Sequence, residues 1–186
     1  MQWIVRRTPE KGLTLIELLI TLTLASIILI VGIPAFQRFA AGNVQSAEIN
    51  NLVRHINLAR SEAVKSGRNH VICPSLDLGS CLDSAHWELG FIIFQDRNEN
   101  GIREEDEPLL RANRPTTEVD IVMESTRRRK QIVFRPDGRS SGSNLTITFC
   151  DPENALPPRA VIVSNAGRAR VAKTHWDGSP LDCGDG

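Results

Sequence analysis

Residues 13–33, LTLIELLITLTLASIILIVGI, form an apolar run of 21 positions broken by a single charge, Glu17. Wound as a helix, a run of this length spans about 30 Å, the hydrocarbon thickness of a bilayer. Arg6, Arg7 and Lys11 precede it, which favours a cytoplasmic N-terminus. A secretory signal peptide shares the basic start and apolar core, but its core covers only about 7–15 residues and ends at a small-residue cleavage site. Here the run is longer, and helical periodicity continues beyond it. Glu17 costs on the order of 2–3 kcal/mol in such a span, so it needs a partner or a task. The plainer alternative is a single-pass anchor that tolerates one acid near its interface.

The neighbours of Glu17 sharpen this reading. The string Lys11-Gly12-Leu13-Thr14-Leu15-Ile16-Glu17-Leu18-Leu19 resembles the processing site of type IV prepilins. The resemblance implies cleavage after Gly12 by a prepilin peptidase, methylation of Leu13 as the new first residue, and Glu17 as the glutamate found fifth in the mature chain. That family usually has phenylalanine where this chain has Leu13. In a filament the acid would pair with the first amine of a neighbouring subunit, offsetting its burial among apolar helices. Pro34 stands where pilins commonly carry a helix-kinking proline. The implied partners are other pilin subunits, the peptidase and the bacterial inner membrane. The implied location is a single pass with a periplasmic head, incorporated in a surface pilus.

From Phe36 the sequence turns amphipathic: Phe36, Ala40, Val44, Ala47, Leu52, Ile56, Ala59 and Ala63 recur at helical steps. Gly67 is placed to stop the helix, which is expected over 13–66. After it, short apolar runs between turn residues predict strands at 71–73, 89–94, 109–112, 119–123, 131–134, 145–149, 160–163 and 168–172. No further helix of useful length is expected. The chain therefore divides into a leader at 1–12, a transmembrane or filament-core helix at 13–34, an amphipathic helix at 35–67, and a head at 68–186 with a basic C-terminal tail. The fold class is α+β: a long N-terminal helix packed on a small antiparallel sheet.

Hydrophobic residues make up 41% of the chain, too many for a disordered one. Formal net charge is zero, yet residues 74–125 carry an excess of eight acids while the flanking thirds are basic. A basic third can attract an anionic polymer even on a neutral protein. Cys73, Cys81, Cys150 and Cys183 show no C-x-x-C spacing, which argues against zinc. Outside the cytoplasm two disulfides are expected. Of three possible pairings, Cys73–Cys81 and Cys150–Cys183 join nearest neighbours and are favoured.

Within the head, Ile72-Cys73-Pro74-Ser75, the stretch from Trp87 to Asn98, and Phe149-Cys150 followed by Ser164 to Arg170 resemble minor pilins and pseudopilins of the GspH/FimT family. In the FimT branch a G-R-x-R motif is associated with DNA binding during natural transformation, and Gly167, Arg168 and Arg170 match it. On an extended strand the two arginines point the same way, towards successive phosphates. Lys173 extends the row and Trp176 could stack on a base. Arg127, Arg128, Arg129 and Lys130 form a second basic cluster. The function implied is a minor pilin that binds double-stranded DNA non-specifically for uptake. The alternative is a purely structural minor pilin or a type II secretion pseudopilin.

Other patterns are weaker. Residues 96–107, DRNENGIREEDE, place Asp96, Asn98, Asn100 and Glu107 at calcium-loop spacing. The flanks are strand and proline, not helices, so a solvated acidic turn is the favoured reading and no cofactor is expected. Gly138-Arg139-Ser140-Ser141-Gly142 fits G-x-S-x-G, but a nucleophile elbow requires a following helix. His55, His70, His86 and His175 have no evident acid partner in the sequence, and no enzyme is expected.

Overall fold

The computed structural model describes Gly12 and residues 14–114, 121–126, 129–153 and 155–183. By internal packing the chain divides between Phe39 and Ala40. One α-helix, α1 (Leu15–Ser66), runs through both parts. Thr14 opens it: its Oγ1 accepts the Glu17 backbone N–H at 3.3 Å. Thr14 thus caps the helix, and Glu17 places its carboxylate in the first turn, where the helix dipole favours negative charge. Pro34 lies inside α1. From Leu15 to Phe39 every residue is exposed, and the helix has one stretch long and apolar enough to cross a membrane.

Residues 40–66 of α1 behave differently. Ile49, Leu52, Ile56, Ala59 and Ala63 recur on one face and are buried. Burying each of the three larger side chains contributes about 1.5–3 kcal/mol. Gln45 on the same face donates from Nε2 to the carbonyls of Phe149 (3.4 Å) and Pro157 (3.3 Å). The helix stops where expected: Gly67 has φ +67°, and its N–H reaches the Ala63 carbonyl.

The head contains two antiparallel sheets where the sequence suggested one. The first has the order β3 (Leu109–Asn113), β2 (Phe91–Asp96), β1 (Asn69–Pro74), β5 (Ile132–Phe134). The second has the order β4 (Val122–Ser125), β6 (Leu145–Cys150), β7 (Arg159–Val163), β8 (Ala169–Ala172). Strand alternation distributes the side chains. Ile72 opposite Ile93 faces the helix, as do Ile147 opposite Val161 and Met123 opposite Phe149. On the other face of the first sheet, Val71, Cys73, Ile92 and Phe94 form a second cluster covered by Leu78 and Cys81. The Cys73–Cys81 disulfide fastens that cover, and Cys150–Cys183 ties the C-terminal segment back to β6.

Most strands lie within a residue of their expected ends, but β1 begins two residues early, at Asn69, and two others moved further along the chain. The expected strand at 89–94 lies at β2 instead, because Gly90 (φ +125°) turns the chain and leaves Leu89 39% exposed. The strand expected at 119–123 is β4, two residues later where described; positions 119 and 120 lie outside the described residues.

Candidate nucleic-acid interface

The turn joining β7 to β8 is built around Gly167. Its N–H donates to the Ser164 carbonyl at 2.8 Å, and Ser164 N–H to the Arg168 carbonyl at 3.1 Å. Gly167 has φ +73°, a conformation L side chains rarely adopt. A Cβ there would also fall well inside contact distance of the Gly138 carbonyl oxygen. That oxygen belongs to the neighbouring β5–β6 turn, and it accepts a 2.9 Å hydrogen bond from Arg60 Nε on α1. Ser140 completes the stitching, its N–H donating to the Asn165 carbonyl (3.1 Å) and its hydroxyl to the Ser164 carbonyl (2.8 Å). Ser140 is buried and is followed by a turn and then β6, so the G-x-S-x-G segment holds two loops together and presents no nucleophile.

Arg168 leaves this fixed turn exposed, and Arg170 is exposed two residues on, in register with Ile162. Arg168 lies just before β8 and Arg170 within it. β8 is an edge strand, so one side has no strand neighbour. Lys173 lies past the end of β8, at a bend, and does not continue the row as a strand residue. Trp176 is 78% exposed in a turn closed by His175 N–H to the Ser179 carbonyl. Asp177 accepts from the Ser179 hydroxyl and N–H, which holds its carboxyl below the usual range.

The structure adds residues to this face. Arg135 and Arg139 are exposed on the β5–β6 turn, the turn stitched to Gly167. They lie about thirty residues upstream of the G-R-x-R motif. Their only sequence signal was a Pro-Asp-Gly turn flanked by two arginines. The other basic cluster divides. Arg127 and Arg128 lie outside the described residues. Arg129 donates to Asn144, and Lys130 pairs with Asp83 at 2.6 Å. Both cations therefore serve the head's own loops.

The remaining candidates have these positions. Gly12 is exposed at the start of α1 and Leu13 lies outside the described residues. His86 does have an acid partner, two residues along: its Nδ1 lies 2.9 Å from Glu88 Oε1, while Glu88 Oε2 accepts the Met123 N–H. His55 packs edge-on against Phe91, and burial pushes the His70 pKa down. The acidic turn is exposed at Glu99, Glu104, Glu105 and Asp106, as expected of a solvated loop, but Asp96 and Glu107 at its two ends are each only 2% exposed.

A long N-terminal helix, apolar and exposed in its first half and packed on antiparallel sheets in its second, defines a type IV pilin-like subunit. Two crystal forms of the type IV minor pilin FimU of Pseudomonas aeruginosa strain PAO1 share the fold, with TM-scores of 0.52 and 0.56 at 20% identity. They cover 68% and 72% of this chain and 91% and 92% of their own. Residues 48–167 match the family described as Type II transport protein GspH, and residues 7–33 match the prokaryotic N-terminal methylation motif. The chain belongs to the GspH family. Comparison with curated proteins yields no match.

Proposed function

We propose that this GspH-family subunit is a minor pilin whose head binds double-stranded DNA for uptake in natural transformation. The observation that carries the reading is the placement of Arg168 and Arg170: exposed, two residues apart, one at the entry to an edge strand and one on it, with the entry turn fixed by Gly167 and Ser140. Arg135 and Arg139 on the adjoining turn add positive charge to the same region. Contacts of this kind go to phosphates, so binding is insensitive to sequence and sensitive to salt. The acidic stretch at 74–125 repels DNA and confines binding to this corner of the head. In this reading the peptidase cuts after Gly12 and Leu13 is methylated. The helix passes once through the inner membrane before assembly, the head is periplasmic, and Glu17 meets a neighbouring subunit's amine.

The rival is a structural subunit, a minor pilin or pseudopilin that contacts only its neighbours. The description of the matched family as a type II transport protein favours it. Gel-shift titration separates the two. Residues 40–186, which form one compact unit, bind duplex DNA with an affinity that falls steeply with salt. The double variant Arg168→Gln, Arg170→Gln shallows the log–log salt slope by about two. Binding unchanged in that variant, or no binding by the parent, returns the subunit to the structural class.

A further inference from the structure

The loop from the end of β2 to the start of β3, residues 96–107, contains a feature the DNA reading does not use. Asp96 closes β2 with its side chain inside the head, and Glu107 returns to it from the far end of the loop; both are 2% exposed. Glu107 Oε1 accepts the Arg97 N–H at 2.7 Å, and Oε2 the Glu104 N–H at 3.2 Å. Asp96 Oδ2 accepts the Gly101 N–H at 3.0 Å, which holds the carboxylate within the loop. Its other oxygen, Oδ1, is buried without any hydrogen-bond partner. Neither acid has a cationic partner among the described residues. The two nearby arginines point elsewhere, Arg97 to the Asp106 carbonyl and Arg103 to the Gly79 carbonyl.

Two buried carboxylates with no counter-charge are an expensive arrangement, because backbone hydrogen bonds replace only part of the hydration each loses. Burial raises the Asp96 pKa, and the negative charge of Glu107 raises it further. Three resolutions exist: a shared proton, an unseen basic side chain, or a cation. The second fails for the described residues. The loop favours the third. Asn98 Oδ1 and Asn100 Oδ1 each accept one backbone N–H (3.1 and 2.7 Å) and retain a second lone pair. Glu99 (φ +63°) and Gly101 (φ +73°) curl the backbone so that amide and carbonyl oxygens recur along one short segment.

We propose that this loop binds one calcium ion, anchored by the free Oδ1 of Asp96 and by Glu107, with amide and main-chain oxygens of residues 98–102 and water completing its shell. The donor set decides the metal. Among the described residues no three His, Cys, Asp or Glu side chains converge, which disfavours zinc and other soft ions. Magnesium demands near-ideal octahedral geometry and gives up water reluctantly, whereas calcium accepts an irregular shell of neutral and charged oxygens. Two carboxylates supply little charge, so affinity belongs with extracellular modules, at a Kd of about 10⁻⁴–10⁻³ M. Such a value suits a head outside the cytoplasm and gives no binding at cytosolic calcium levels.

The test uses the full chain in detergent, stripped with EDTA, by equilibrium dialysis against calcium and by thermal melting. One ion per chain binds in the stated range, and at calcium tenfold above Kd the melting temperature rises by about 3–6 °C. Magnesium at the same concentration gives less than half that rise. Asp96→Asn removes an uncompensated buried charge, so in EDTA it melts no lower than the parent, yet it loses the calcium response; Glu107→Gln weakens it at least tenfold. The variant Arg168→Gln, Arg170→Gln keeps the full response, which separates this site from the DNA face. No bound calcium at 5 mM (about five times the weakest expected Kd), or an equal response in Asp96→Asn, overturns the proposal and leaves a shared proton as the resolution.

Discussion

Gly167 is hemmed in on two counts, and they add. Its φ of +73° costs any L residue about 1–2 kcal/mol, and its missing Cβ leaves the space that the Gly138 carbonyl occupies. Gly167→Ala therefore destabilises residues 40–186 by about 2–5 kcal/mol in urea unfolding, strain and overpacking together. In the G-R-x-R motif the glycine is thus a structural requirement, and the arginines are its exposed consequence. Glu48 on α1 is a different case. It is 7% exposed, its Oε2 has no hydrogen-bond partner, and burial raises its pKa while a hydrogen bond from Asn51 partly offsets this. A raised pKa means that the folded chain holds this proton more tightly than the unfolded chain does. Its stabilising contribution is present below the ordinary carboxyl range and is lost as pH climbs through the raised value. Glu48→Gln abolishes that decline and melts higher than the parent at pH 7, a difference that vanishes near pH 4. Equal melting curves at both pH values contradict this assignment.

Among the elements, β8 illustrates how a short strand is made dependable. At four residues it has little to hold it beyond pairing with β7. One end is fixed by the stitched turn, the other by the tail, which doubles back through the Thr174–Pro180 bridge, buries Leu181 and is tied by Cys150–Cys183. That disulfide closes a loop of 33 residues, worth about 3–4 kcal/mol in chain-entropy terms. The double variant Cys150→Ser, Cys183→Ser loses that much stability in urea, and trypsin then cuts first at Arg170 or Lys173. The position of β8 was legible in the sequence because Val171 and Ala172 follow the arginines between two turn signals. The identity of its neighbours was not. Strand alternation reports which residues share a face; it does not report which turn, thirty residues away, closes against Gly167. For the same reason Arg135 and Arg139 escaped notice.

For the whole molecule, the N-terminal half of α1 was the most legible part, since one acid in 21 apolar positions admits few structures. Its head was legible as strands but not as two sheets. β5 joins the first sheet only after β4 has joined the second, a crossing set by packing on both faces of the first sheet. The acidic loop was legible as a solvated turn over most of its length, but not the burial of Asp96 and Glu107, which strand ends bring about only in the folded chain.

The ring closed by Cys150 and Cys183 encloses β7, β8 and the Gly167 turn. If the head is exported, as proposed, the chain is made where thiols stay reduced and reaches a compartment where they pair. Until then the far end of the edge strand lacks its covalent tie and relies on the Thr174–Pro180 bridge and buried Leu181. On the proposed function and location, maturation of the arginine row would therefore be timed by address: the fully fastened surface would exist only on the far side of the membrane, away from the cell's own genome.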